Sequence, residues 1–426
     1  MSDLPNGWSR QRLGDTLELL IDHRGQTPGK LGGEFQEHGV PVISAIHIKG
    51  GRVDFAQRER FVSREMFERW MPERLKFGDV LLTSEAPMGL VAVVPSDAPL
   101  VLSQRLFALR GRAGVLDNRY LRWALVAQPI RDQLDRRSSG TTVTGIRQRE
   151  LVQVELPLPS LGEQRRIIDI LEDHFAHLDS ASTLIESATV RTKAAEKSSL
   201  KRLVALTPEC QTLTLNQLAG GGLFCDGDWV ESKDQDSTGS VRLTQLADVG
   251  IGVFRDRSDR WLRPDQAESL GCTYLVPGDL LIARMPEPIA RACRVPEGLG
   301  TAVTAVDVAI LRVTRSDVDP EWLMWAVNGD DFRRRAEALQ SGTTRKRISR
   351  KNLATLTLLV PPRNVQAIRL RELEMSMEGL RRIRDEAAAA KKRSDALRRA
   401  LLAAAFSGRL TGHTTDIEMV EEMANV

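Results

Sequence analysis

The chain has 426 residues, more than one ordinary domain needs, and its 42% hydrophobic and 27% charged residues are those of a water-soluble globular protein. Sixty Lys and Arg against 57 Asp and Glu leave a net charge of only +3, which excludes a uniformly basic, histone-like protein but not local basic patches. Collagenous and low-complexity classes fail on the same composition.

Taken from the start, residues 1–12 are polar and lack the apolar core of a signal peptide. No apolar run approaches the ~20 residues that span a bilayer, so no membrane is expected. Short apolar runs punctuated by Gly, Pro and Asp follow, such as Val40-Pro41-Val42-Ile43, Val80-Leu81-Leu82 and Leu90-Val91-Ala92-Val93-Val94. They predict strands of a mixed domain, closed by a helix over 119–137. After Pro159 the composition changes. From 162 to 206 there is no proline and little glycine, and Ala, Leu, Glu, Lys and Arg dominate, which predicts one long helix.

The same order then recurs. Ser139-Gly140-Thr141-Thr142 returns as Ser341-Gly342-Thr343-Thr344, an offset of 202. At that offset Ile146 matches Ile348, Leu151 matches Leu353, Pro159 matches Pro361 and Gln164 matches Gln366; nine of 26 positions between 139 and 164 are identical. Chance gives one or two in roughly that length, so the chain is a duplication with a period far longer than a solenoid unit. Gly78-Asp79-Val80-Leu81 likewise returns as Gly278-Asp279-Leu280-Leu281. A second helix is predicted over 321–340, and a second proline-free segment runs from 364 to 406. The four cysteines, 210, 225, 272 and 293, form no C-x-x-C pair and suit a reducing, cytoplasmic setting.

Both long segments carry a seven-residue repeat. In the first, Leu171, Leu178, Ile185, Thr192, Ser199 and Leu206 recur; in the second, Leu373, Leu380, Ala387, Ser394 and Leu401 do, with Ile383 and Leu397 at the companion position. One such helix alone would expose its stripe, whereas two in one chain can bury their stripes on each other. The expected fold class is α/β (α+β): two tandem domains separated by two long antiparallel coiled-coil helices. Expected bounds are 1–161 and 209–363 for the domains, 162–208 and 364–410 for the helices, and 411–426 for an acidic, flexible tail.

Catalytic motifs are missing. The nearest approach to a phosphate loop, Gly29-Lys30, has Arg24 where its first glycine belongs and Leu31 where Ser or Thr belongs. Gly220-Gly221-Gly222 reads as a turn, and His174 and His177 fall off the helix seam. Glu231-Ser232-Lys233 resembles a nuclease E-x-K but lacks an obvious partner carboxylate, and there is no G-x-S-x-G elbow. No cofactor or metal is therefore expected in this chain.

Basic loops are present. Arg345, Lys346, Arg347, Arg350 and Lys351 follow the second Ser-Gly-Thr-Thr turn with no acid among them, and Arg147 and Arg149 follow the first. Such a turn offers N–H groups and hydroxyls to a phosphate, and arginine can read guanine as well. Arg24, Lys30 and Arg52 in the first repeat, and Arg255 and Arg257 in the second, are weaker candidates for the same role. Duplex DNA is the expected ligand.

The alternation of two unlike domains with two alike helices, each after a Ser-Gly-Thr-Thr…Ile…Leu…Leu…Pro segment, resembles the DNA-specificity (S) subunit of type I restriction-modification systems. Pro159-Ser-Leu-Gly-Glu163-Gln164-Arg-Arg-Ile167, the opening Pro5-Asn-Gly7-Trp8, and Asp226-Gly227-Asp228-Trp229 are similar to that family's junction and domain entries. The second junction departs, with Val365 where the first has Glu163. The resemblance implies a non-catalytic subunit whose two domains read the halves of a split target. Its helices would space the halves and dock two modification subunits that methylate adenine with S-adenosylmethionine. A restriction subunit using ATP and Mg would join them. A stand-alone DNA-binding regulator and an enzyme with its own catalytic site are the alternatives.

Overall fold

The computed structural model describes residues 4–140, 143–342 and 345–411. The chain forms two compact units: residues 1–185 with 389–426, and residues 186–388. Each unit therefore contains one mixed domain and a piece of both long helices.

Each domain is built on a four-stranded antiparallel sheet. In the first unit the strand order is Leu17–Asp22, Leu106–Gly111, Val80–Thr83, Val91–Val93; in the second it is Leu223–Asp226, Val308–Arg312, Leu280–Ala283, Ala292–Arg294. The central strands are buried on both faces, which is why they read as continuous apolar runs instead of alternating ones. Val80, Leu82, Phe107 and Leu109 enter one core while Leu81, Leu106 and Ala108 enter another. In the second unit Leu280, Ile282, Ala309 and Leu311 face one core and Leu281, Ala283, Val308 and Ile310 the other. A three-stranded sheet covers the second face in each, with one parallel pairing: Val40–Ile43 with Val101–Leu102, and Val241–Thr244 with Ala302–Thr304.

The helix expected over 119–137 is two helices, Asn118–Val126 and Gln128–Arg137. Pro129 suits only the first turn of a helix, and Ala127 before it is extended. The helix expected over 321–340 breaks likewise, into Pro320–Val327 and Asp330–Ala338, with Gly329 extended between them. The two long helices, Leu161–Leu203 and Arg363–Ser407, are single helices of 43 and 45 residues. They run antiparallel. In the second unit Ser199 meets Ser376 at 2.7 Å and Glu196 pairs with Arg384 at 3.0 Å. In the first, Asp179 pairs with Arg398 at 2.7 Å.

Along the seam Leu171, Leu373 and Leu401 are buried and Leu178, Ile185, Leu380 and Leu397 half-buried. Leu206 lies past the end of its helix and is 73% exposed, and Ile383 is 47% exposed. Small and polar residues hold the middle of the seam, Thr192 and Ser394 among them, and both are buried.

Shared residues recur as shared braces. Asp79 accepts two hydrogen bonds from Arg110 at 2.7 and 2.6 Å, and Asp279 accepts two from Arg312 at 2.8 Å each. Both carboxylates are almost fully buried, so each needs its guanidinium. Gln164 takes the N–H of Asp117 and donates to the carbonyls of Val115 and Pro159. Gln366 does the same with Asp319, Asp317 and Pro361. Each glutamine is wholly buried and ties the start of a long helix to its domain. Val365 in place of Glu163 leaves this brace intact.

Candidate nucleic-acid interface

Loops at one end of each sheet converge. In the first unit this end carries Asp22, Thr83, Val91 and Leu106; in the second, Asp226, Ala283, Ala292 and Val308. The chain on either side of the Thr-Thr pair docks there in both units, pairing back on itself as the base of a small hairpin. Ser139 and Gly145 exchange backbone hydrogen bonds at 2.9 and 3.0 Å, and Ser341 and Arg347 do so at 3.0 and 2.9 Å. Gly140 and Gly342 have φ of +126° and +101°, and a side chain at either would collide with the carbonyl of Val143 or Arg345. Thr141, Thr142, Thr343 and Thr344 lie outside the described residues.

Each hairpin ends on a buried isoleucine. The N–H of Ile146 bonds the carbonyl of Ser84 at 2.9 Å, and that of Ile348 bonds the carbonyl of Arg284 at 3.0 Å. An arginine then caps the isoleucine carbonyl: Arg24 caps Ile146 at 2.7 Å, and Arg284 caps Ile348 at 3.1 Å.

The cations around the hairpins are not equivalent. Arg147, Arg345, Lys346 and Lys351 are exposed and have no side-chain ion pair among the described residues. Arg149 lies 3.3 Å from Glu150. Arg347 lies 3.7 Å from Asp307, and Arg350 lies 3.6 Å from Asp226. Lys30 bonds the carbonyl of Gly25 at 2.8 Å, which ties it into its own loop. Arg52 lies close enough to Arg122 to add to the burial that lowers that guanidinium's pKa.

Arg255 and Arg257 sit on an organised loop. Asp248 is fully buried and accepts from the backbone N–H groups of Gln245, Arg257 and Ser258 at 2.7, 2.6 and 2.8 Å. Burial works to raise its pKa, but these bonds and the Ser258 hydroxyl hold the carboxyl below the usual range. Arg291, also buried, donates to the carbonyls of Val249, Leu246 and Pro288 at 2.7, 2.8 and 3.0 Å, so it fastens this loop to the one after Leu280–Ala283. Burial, and then the charge of Arg255, lowers the Arg291 pKa.

Several residues that the sequence did not single out belong to the same end. Arg284 and Arg291 each follow or begin an apolar strand, and an arginine there must find partners or face solvent. In the first unit Arg105, which pairs with Glu85 at 2.9 Å, lines a cavity of about 330 Å³ with Arg58 and Arg60. Arg60 lies over Phe35 at 4.8 Å.

The residues weighed as catalytic candidates do not come together among the described residues. Glu231 and Lys233 form an exposed pair with each other at 2.8 Å, while Asp226 is engaged by arginines and Asp228 accepts the N–H of Thr273. His177 lies 3.9 Å from Asp173 on an exposed face. Among the described residues no cluster of three or more His, Cys, Asp or Glu is placed to hold a metal, and no helix is long and apolar enough to cross a membrane.

Residues 5–189 match the family model of the type I restriction modification DNA specificity domain. Over its length the chain is similar to the StySPI specificity subunit of Salmonella potsdam, 24% identical across 96% of this chain and 90% of that one. The chain is thus similar to the type I DNA-specificity subunits over most of its length, with the domain match itself on residues 5–189. In that family the subunit recognises DNA and carries no catalysis. The MjaVIII specificity subunit of Methanocaldococcus jannaschii is 23% identical over 51% of this chain, and the match spans about half, 49%, of that relative's length. Among solved structures, the fold is shared with a chain from work on assembly and conformational transition of the type I R-M system, at TM-score 0.77, 20% identity and coverage of 96% and 100%. It is shared too with the HsdS subunit of Thermoanaerobacter tengcongensis, at TM-score 0.60, 20% identity and coverage of 96% and 99%. Both tandem domains and the intervening long helix of this chain fall within those overlaps.

Proposed function

We propose that this chain is the sequence-reading subunit of a type I restriction-modification complex. Each domain reads one half of a bipartite, asymmetric duplex target through the loops at the hairpin end of its sheet. The observation that carries this is the pair of equivalent hairpins, set among cations, on two domains whose surrounding loops differ. A symmetric homodimer reads a palindrome. Two unlike readers in one chain read two unlike halves. The antiparallel helices, with their duplicated braces, offer two equivalent docking sites for two modification subunits, and restriction subunits join that assembly. S-adenosylmethionine, ATP and Mg act on those partners, which flip and methylate adenine. The complex works in the cytoplasm.

Mapping methylated adenines in a host with and without this gene tests the reading. We expect one split motif to lose methylation when the gene is removed. Retention of every methylated motif overturns it. The isolated chain is expected to bind neither methyl donor nor nucleotide; binding of either would favour the enzyme reading.

A further inference from the structure

We infer that Arg24 and Arg284 are positioning residues, one for each unit, that lock the two hairpins in the pose in which they meet DNA. The inference rests on the proposed DNA-reading role of the hairpin end. The atom held is the same in both repeats, the carbonyl of Ile146 and of Ile348, yet the arginine comes from different places. Arg24 stands just after the strand Leu17–Asp22, and Arg284 just after Leu280–Ala283. The residue that matches Arg284 in the first repeat is Ser84, and its carbonyl takes the Ile146 N–H. Two unrelated positions have thus supplied one contact.

Both guanidiniums are tethered to the hairpin base, Arg284 in the interior and Arg24 at an exposed position. Arg284 is 4% exposed and donates to Ile348, to the carbonyl of Val306 at 3.0 Å, and to Asp226. It thereby joins the hairpin to two other loops, and Asp226 in turn faces Arg350. Arg24 bonds Ile146 while its guanidinium lies 5.6 Å from the centre of the buried Phe107 ring. The planar fork can satisfy acceptors in fixed directions, which a lysine ammonium cannot reproduce. Without it, the base of the hairpin loses its side-chain clamp beside the backbone bond at Ile146 or Ile348, and a small displacement of the reading groups weakens discrimination.

The test uses the full chain co-purified with its modification subunits, and duplexes carrying the mapped target or a version substituted in one half. For Arg24→Ala we expect affinity for the matched duplex to fall about tenfold or more, with discrimination lost in one half only. The other half and the salt dependence of binding should be unchanged. Arg284→Lys, which keeps the charge, should do the same to the opposite half, and Arg24→Lys should restore little. The inference is overturned if Arg24→Ala lowers the salt slope by about one with discrimination intact, because Arg24 is then a direct phosphate contact. Equal loss in both halves, or no change, overturns it too. Arg147→Ala, run alongside, separates the two levels of argument. If it leaves affinity and salt slope untouched, the hairpin does not meet DNA and the reading beneath this inference fails first.

Discussion

The free and the paired cations of the second hairpin should behave differently, and the difference is measurable. Arg345, Lys346 and Lys351 are exposed without a carboxylate partner among the described residues, whereas Arg347 and Arg350 stand against Asp307 and Asp226. A cation that neutralises one phosphate contributes about 0.9 to the slope of log affinity against log salt. Replacing the three free residues with alanine should therefore flatten the slope by roughly 2.7 if each meets one phosphate. Between about 50 and 200 mM salt the unmodified complex should lose roughly 40-fold more affinity than the triple variant does. Removing Arg347 and Arg350 should change the slope less per residue, since each must first leave an ion pair; for exposed pairs that costs at most about 1 kcal/mol. Fluorescence anisotropy of a labelled duplex over four salt concentrations reads both numbers. A slope that stays constant in the triple variant refutes the assignment of this face to DNA. A slope that falls equally per residue in both variants refutes the division into free and paired cations.

Other expectations follow from the braces and the helices. Gln164→Ala strands one buried N–H and two carbonyls, at about 1–3 kcal/mol each, so a loss of about 3 kcal/mol or more is expected. Gln366→Ala should match it, and hydrogen exchange should show the loss in Glu155–Leu158 for the first and in Thr357–Val360 for the second. Asp248 has a folded pKa below its unfolded value, so its contribution is present above about pH 4 and is lost only as pH falls through the lower folded value. Asp248→Asn should loosen the loop already at neutral pH, seen as faster tryptic cleavage after Arg255 and Arg257, while wild type resists at pH 5 to 8. Removing one heptad from both long helices should change the unread gap between the two half-sites in methylation mapping. An unchanged gap refutes the helices as spacers. Burial pushes the Cys293 thiol up to about 12, so it should resist alkylation at pH 8 in the folded protein.

The duplication was the most legible property of the sequence, and the structure gives it physical reasons. Gly78-Asp79 and Gly278-Asp279 recur because each aspartate is buried against an arginine from the neighbouring strand, Arg110 or Arg312. Gln164 and Gln366 recur because three backbone groups depend on each. The long helices were legible from their composition and lack of proline. The breaks at Ala127 and at Asn328-Gly329 were passed over, because apolar spacing continues across them while the backbone does not. At the hairpin end, the paired turns were legible by repetition. Which cations were already engaged was not, since Asp226 and Asp307 are distant in sequence from Arg350 and Arg347. Arg284 was hidden at the end of an apolar strand, where only the folded chain shows its three acceptors.

The two ends of each sheet have evolved under different demands, and this explains how one chain can be both symmetric and asymmetric. At the end that carries Asp79 and Asp279, and at the helix starts, the repeats share residues and even hydrogen-bond geometry. Under the proposed function, a shared scaffold there would present partner subunits with two equivalent surfaces. At the hairpin end the repeats share the isoleucine, the glycine before the turn and the strand-end aspartate, Asp22 or Asp226, while the surrounding loops differ. The first unit surrounds them with Arg24, Arg105 and a cavity lined by Arg58 and Arg60, while the second uses a loop fixed by Asp248 and Arg291. Change is inexpensive at this end because loops there hang on a sheet whose stability comes from cores on both faces. The carbonyl capped by Arg24 in one unit and by Arg284 in the other marks the boundary between the two regimes. The need for a clamp is common to both repeats, but the residue that meets it belongs to the part of each domain that is free to differ.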